Sequence, residues 1–171
     1  MQDNIIVKPS VEKQFDRFLR QGRVLFFSAP CGFGKTAVAE ALLSSREVLR
    51  LSADSAGFKL PSAEADWQIL LLDDLQDMQE EQDWNALCEL IRACPERRFV
   101  LLSRGTPPGS LMAFQYTGLM TVLEADDLLF DADDVRRLLR LYGVEAADSE
   151  IDGILKESVG YPLGVAITAR C

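Results

Sequence analysis

The sequence predicts an α/β protein: a parallel five-stranded sheet flanked by helices, followed by a small helical subdomain. Three observations predict it. Short, almost wholly apolar runs alternate with segments of helical periodicity through the first three quarters of the chain. One of these runs, "RVLFFSA", passes through a glycine-containing loop directly into a helix-forming segment. Beyond Glu124 the apolar runs stop and only helical patterns remain. Strands that are apolar throughout are covered on both faces, as happens when each crossover lays a helix on the sheet.

Taken in order, "SVEKQFDRFLRQG" has Ser10 as its expected N-cap, apolar residues at Val11, Phe15, Phe18 and Leu19, and Gly22 as a stop, so it reads as an amphipathic helix. "RVLFFSA" is the first strand, and a helix follows from Gly34 to about Ser44. "EVLRLSA" is the second strand. "WQILLLDDL" is the third, and it ends in two carboxylates, Asp73 and Asp74. "EEQDWNALCELIRAC" carries helical spacing at Trp84, Leu87, Leu90, Ile91 and Cys94. "RRFVLLSRG" and "TGLMTVLEA" complete the sheet. Ligands of such sheets bind at the carboxyl ends of the strands.

The remainder is helical. "FDADDVRRLLRLYG" has Asp131 as cap, apolar Val135, Leu138, Leu139 and Leu141, and Gly143 as a stop. "DSEIDGILKESVG" closes at Gly160, and "YPLGVAITARC" opens with Pro162 in its first turn, where a missing N–H costs nothing. The expected division is residues 1–126 and residues 127–171. "GVAITARC" stops in mid-pattern, which suggests a piece of a longer protein.

With 171 residues, 48% of them apolar, the chain can bury a substantial core. Eighteen basic residues against 27 acidic ones give a net charge of −9, which opposes direct contact with nucleic acid. Residues 64–91 and 121–134 contain acids but no Lys or Arg, as solvated faces do; a basic partner is the alternative. Cys31, Cys88, Cys94 and Cys171 form no CxxC pair and histidine is absent, which removes the common zinc sets and His-dependent nucleophile schemes. Cys88 and Cys94 read as core residues. This usage suits a reducing, cytoplasmic location. "MQDNIIVKPS" lacks a signal-peptide pattern, and no apolar run reaches the roughly 18 residues that span a bilayer.

The loop "APCGFGKT" carries the chemistry. A phosphate cradle needs inward-pointing N–H groups, glycines that let the backbone curl, and a helix N-terminus behind it. Cys31, Gly32, Phe33, Gly34, Lys35, Thr36 and Ala37 are the expected nucleotide contacts. Lys35 would meet the β- and γ-phosphates, and Thr36 would hold Mg2+. The arrangement is a P-loop (Walker A) with Ala29 where the first glycine of GxxxxGK[ST] would stand. Asp73 is the expected second Mg2+ residue, at the Walker B position, and Asp74 the group that positions or deprotonates the attacking water. Arg104 follows the fourth strand and would sense the γ-phosphate, or else form a structural ion pair. Cys31 is an ordinary small loop residue, or a thiolate poised for redox control.

The ordered set "SAPCGFGKT", "ILLLDD", "FVLLSR", "LEADDLLFDADDVRRLL" and "SVGYPLGVAI" resembles the ATPase module of MalT-type regulators. These are large LuxR-family members of the STAND class of P-loop NTPases. The resemblance covers nearly the whole chain, and "DLLF" with "GYP" makes it more specific than the loop alone. It implies ATP or ADP with Mg2+, slow hydrolysis, a signalling role and nucleotide-dependent self-association. It also implies that Pro162 approaches the nucleotide from the helical subdomain and that Val7 to Pro9 lie near the base. DNA binding would belong to a C-terminal domain that this sequence does not contain. The family usually has a longer helical stretch before "ILLLDD", so the place of the second strand in the sheet is open. Two other readings remain. One is a small kinase or phosphotransferase, for which Arg136, Arg137 and Arg140 are spaced to face solvent; the other is a P-loop scaffold that has lost nucleotide.

Overall fold

The computed structural model describes residues 5–170, so the readings of Cys171 and of the first four residues lie outside it. Five strands, β1 (Val24–Ser28), β2 (Val48–Ser52), β3 (Ile69–Asp73), β4 (Arg98–Ser103) and β5 (Met120–Glu124), form one parallel sheet in the order β2-β3-β4-β1-β5. Every residue of β1 is buried. Alternate side chains of a strand serve opposite faces. Phe26, with Leu70, Leu72, Phe99 and Leu101, joins the core beneath α3 (Glu81–Ala93). Leu25 and Phe27, with Leu71, Val100 and Leu102, join the opposite core beneath α1 (Pro9–Gln21) and α2 (Lys35–Leu43). Each of these large side chains contributes roughly 1.5–3 kcal/mol by leaving water.

The second strand does join the sheet. β2 pairs with β3 at its edge, and the crossover through residues 53–68 contains no helix. Buried Trp67 anchors the end of that crossover: its indole N–H donates to the Ser62 carbonyl, and its ring stands edge-on to Phe99 at 5.5 Å.

Three local expectations are corrected. α1 begins with Pro9 at its first turn and Lys8 at the cap position, not with Ser10 as N-cap, because proline is pre-set for that turn. A short helix, α4 (Met112–Tyr116), escaped the sequence reading; it follows Pro-Pro-Gly and is too short to show a helical period, yet it buries Phe114. Leu141 is 44% exposed, because the stripe Val135–Leu138–Leu139 continues on to Tyr142.

The sheet leads through α5 (Ala125–Leu128) into α6 (Ala132–Leu141), α7 (Asp148–Ser158) and α8 (Pro162–Thr168). Asp131 and Asp134 cap α6 reciprocally, each carboxylate accepting the other's main-chain N–H. Val135, Leu138, Leu139, Ile151 and Val165 form a separate small core, which Ile6 enters from the N-terminal segment.

Candidate functional site

Register brings the strand ends together. Ser28 lies beside Ser103, and Ser52 beside Asp73. The loops leaving β1, β3 and β4 therefore open on one edge of the sheet, where parallel sheets bind ligands.

The β1–α2 loop needs glycine at two points. Gly32 (φ 84°) and Gly34 (φ 75°) occupy the left-handed region, which costs glycine nothing. Ala29 is outside that region; its buried N–H extends the ladder to the Ser103 carbonyl at 3.3 Å. An alanine therefore suits the place where the common motif has glycine.

The Lys35 ammonium reaches back across the loop and donates to the carbonyls of Ala29 (2.6 Å) and Pro30 (3.0 Å). Burial holds it below the ordinary lysine value, while Asp73 nearby opposes that shift. The Thr36 hydroxyl donates to Asp73 Oδ2 at 2.7 Å, and Asp73 Oδ1 accepts the Asp74 N–H at 2.7 Å. Asp74 has φ 55° and ψ 37°, a conformation non-glycine residues seldom adopt, at a cost of about 1–3 kcal/mol. Its Oδ1 accepts from Gln76 Nε2 at 3.0 Å, and its Oδ2 lies 2.9 Å from the Ser52 hydroxyl, whose one proton also faces Asp54 Oδ1 at 2.6 Å. Arg104, just past β4, is exposed, and its main-chain N–H donates to Gln76 Oε1 at 3.2 Å. Among the described residues Arg104 makes no ion pair.

Cys31, Gly32, Gly34, Lys35, Thr36, Ala37, Asp73, Asp74, Gln76 and Arg104 thus line one pocket of about 320 Å³. Of the residues expected at the loop, Phe33 is turned to the other side. With Ala37 and Pro162 it lines a second, mostly apolar cavity of about 280 Å³, to which Ile5, Ile6 and Lys8 also contribute. Gly32 and Gly34 border both. Lys8 donates to the Leu129 carbonyl and pairs with Asp134 at 3.5 Å, tying the N-terminal segment to the helical tail.

The tail also touches the loop directly. The Tyr161 hydroxyl donates to the Cys31 carbonyl at 2.9 Å, and the Leu163 N–H donates to the Gly32 carbonyl at 3.2 Å. The Tyr161 ring packs on Phe33 with centroids 5.1 Å apart. A Cβ on Gly32 would stand 1.7 Å from the Tyr161 hydroxyl oxygen, so the loop glycine makes room for the tail. "DLLF" and "GYP" meet where the Phe130 N–H donates to the Gly160 carbonyl at 2.8 Å. Gly160 (φ 74°) could carry no Cβ there, because Phe130 O would lie 2.6 Å away.

Other candidates lie elsewhere. Arg136 pairs with Asp133 and Asp148, Arg137 approaches Asp134, and neither they nor Arg140 line the pocket around Lys35. Cys88 and Cys94 are buried, whereas Cys31 is exposed. Among the described residues no three His, Cys, Asp or Glu side chains cluster to bind a metal, and no helix is long and apolar enough to cross a membrane. Sequence reading missed Ser52, Gln76 and Tyr161 in this neighbourhood. "DDLQ" and "GYP" place Gln76 and Tyr161 beside recognised motifs, but nothing in the chain marks Ser52.

The fold is that of the P-loop ATPases. RuvB, the Holliday-junction branch-migration motor of Thermotoga maritima, superposes with a TM-score of 0.64 at 17% identity, over 96% of this chain and 61% of that one. The replication initiator DnaA, bound to AMPPCP and single-stranded DNA, gives 0.64 at 17% identity, over 99% of this chain and 63% of that one. The STAND protein PH0952 of Pyrococcus horikoshii, which has a tetratricopeptide-repeat sensor, gives 0.64 at 10% identity, over 99% and 31%. The chain thus spans less than two thirds of each. No family model matches the chain, and no curated protein matches it.

Proposed function

We propose that this chain is an ATP/ADP-binding signalling switch of the kind found in MalT-like transcription regulators, with slow Mg2+-dependent ATP hydrolysis. The observation that carries the proposal is the direct hydrogen bonding of the helical tail to the phosphate loop, through Tyr161 to Cys31 and Leu163 to Gly32. A loop that rearranges around an anion must change those bonds, so phosphate occupancy biases the position of a packed element.

The residues suit the ligand. Gly32, Gly34 and the α2 N-terminus offer main-chain N–H groups, and Lys35 supplies the cation for the terminal phosphates. The apolar cavity behind the loop, lined by Phe33, Pro162 and Ile6, suits the base, which buries flat apolar surface there. Thr36 and Asp73 bring a hydroxyl and a carboxylate to one point, a hard-oxygen pair fitted to Mg2+. When bound, Mg2+ would neutralise phosphate charge and polarise the terminal phosphoryl group. Asp74 would accept the proton of the attacking water, and Arg104 would read the γ-phosphate. The proposed partners are nucleotide and, in a nucleotide-dependent manner, further copies of the chain. The resemblance and the STAND neighbour support the regulatory role.

Calorimetric titration of nucleotide-stripped protein with MgATP and MgADP, beside Lys35→Ala, tests this reading. Saturable binding lost in the variant is the expected result. Absence of binding by folded wild-type protein would refute it.

A further inference from the structure

We infer that Gln76 is a positioning residue for hydrolysis at this site, holding the Asp74 carboxylate in register with the main chain of Arg104. The inference deepens the proposed nucleotide function and rests on it.

The Gln76 carboxamide spans two loops. Its Nε2 donates to Asp74 Oδ1 at 3.0 Å, and its Oε1 accepts the Arg104 N–H at 3.2 Å. Its orientation is dictated by its neighbours. A carboxylate only accepts and a main-chain N–H only donates, so a flipped amide would lose both bonds. Ser52 lies 2.9 Å from the other oxygen of Asp74, but its single hydroxyl proton has a nearer acceptor in Asp54 Oδ1 at 2.6 Å, so Gln76 is the firmer side-chain donor. The carboxylate is therefore held chiefly through Gln76, on a backbone already in the left-handed region. Gln76 itself lines the pocket with Lys35, Thr36 and Asp73. No other described side chain hydrogen-bonds both Asp74 and the end of β4.

In hydrolysis the water oxygen bonds to the γ-phosphorus while the bond to the bridging oxygen breaks, and that electron pair leaves with ADP. The water proton passes to Asp74. Efficient transfer requires a fixed carboxylate, and a displacement of about 1 Å can cost about 100-fold. Gln76 fixes it relative to the strand that carries the γ-phosphate sensor.

The test compares wild type, Gln76→Ala and Gln76→Glu in the full chain. MgATP affinity is read by calorimetry, and phosphate release gives kcat, so a loss of binding and a loss of turnover are separated. Gln76→Ala should leave Kd unchanged and lower kcat by about 10- to 100-fold, the usual loss when an orienting partner is removed. Gln76→Glu keeps the side-chain volume and the acceptor for Arg104, so it reports even where Gln76→Ala fails to fold. It puts an acceptor where Asp74 needs a donor, so kcat should fall at least as far as in Gln76→Ala. An unchanged kcat in Gln76→Ala overturns the assignment, as does a Gln76→Glu kcat equal to that of wild type or a loss confined to Kd. Binding without turnover by wild type also overturns it. Failure of wild type to bind at all instead removes the nucleotide reading beneath it.

Discussion

The Tyr161 hydroxyl donates to the main-chain carbonyl of Cys31 at 2.9 Å, across 130 residues of sequence. It joins the first turn of the last helix to the residue preceding Gly32, so tail and loop move as one unit or the bond breaks. Tyr161→Phe removes the hydroxyl while keeping the ring against Phe33. The expected loss is about 0.5–1.5 kcal/mol, the usual net value of one hydrogen bond. Denaturant unfolding measures it, and faster proteolysis beyond residue 125 should accompany it.

Gly32 and Gly34 both have positive φ but differ in their surroundings. A Cβ on Gly34 meets nothing within 4 Å, whereas one on Gly32 collides with Tyr161. Gly34→Ala should cost only backbone strain, about 1–2 kcal/mol. Gly32→Ala should cost more and displace the tail. Tyr161→Ala in the same chain should recover part of that excess, which thermal unfolding of the single and double variants will reveal.

How much of this was legible in the chain depends on how local each signal was. The loop, the strands and the Thr36–Asp73 pairing were readable, because glycine spacing and strand-end carboxylates are contiguous patterns. The cap at Asp131 was legible for the same reason. Ser52 and Gln76 were not, since their bonds to Asp74 and Arg104 cross strands 22 and 28 residues apart and leave no period. The extra helix at Met112 failed differently, having too few residues to show a period, and Leu141 failed because its apolar side chain ends a helix whose buried stripe continues to Tyr142 instead.

Lys8 is a half-buried cation between the N-terminal segment and α6, facing the buried Asp134. Burial raises the Asp134 carboxyl above 3.8, and Asp131 adds repulsion while Lys8 opposes it. The folded form then binds more protons than the unfolded between 3.8 and that raised value, so this group's contribution to stability falls as pH rises through the window. Asp131, held below 3.8 by main-chain N–H donors, acts in reverse: its stabilisation is lost as pH falls below 3.8. Lys8→Met should destabilise by about 1–3 kcal/mol at pH 7, since the buried Asp134 keeps Arg137 at 3.6 Å and the Asp131 N–H but loses its nearer cation. The penalty should shrink as pH falls and Asp134 becomes protonated, which urea unfolding at several pH values will measure.

Burial depresses Lys35 below 10.5, so in the free protein it begins to lose its proton at a lower pH than an ordinary lysine. Until then the buried charge carries a stability cost, and the cost is relieved as pH rises from the lowered value to 10.5. Bound phosphates would favour the charged form. Nucleotide binding within that alkaline window should therefore take up protons. Calorimetry in two buffers of different protonation enthalpy measures the uptake, and Lys35→Arg, charged throughout, should abolish it.

The central claim is that phosphate at the loop controls the helical tail, and the Leu163 amide, bonded to the Gly32 carbonyl, reports on it most directly. Hydrogen exchange across residues 125–170 would be followed in the free, MgADP-bound and MgATP-bound protein, with Lys35→Ala as control. The account predicts different protection at Leu163 in the two nucleotide states, and no nucleotide response in the variant. Equal exchange at Leu163 in both states, with both nucleotides bound, would contradict it.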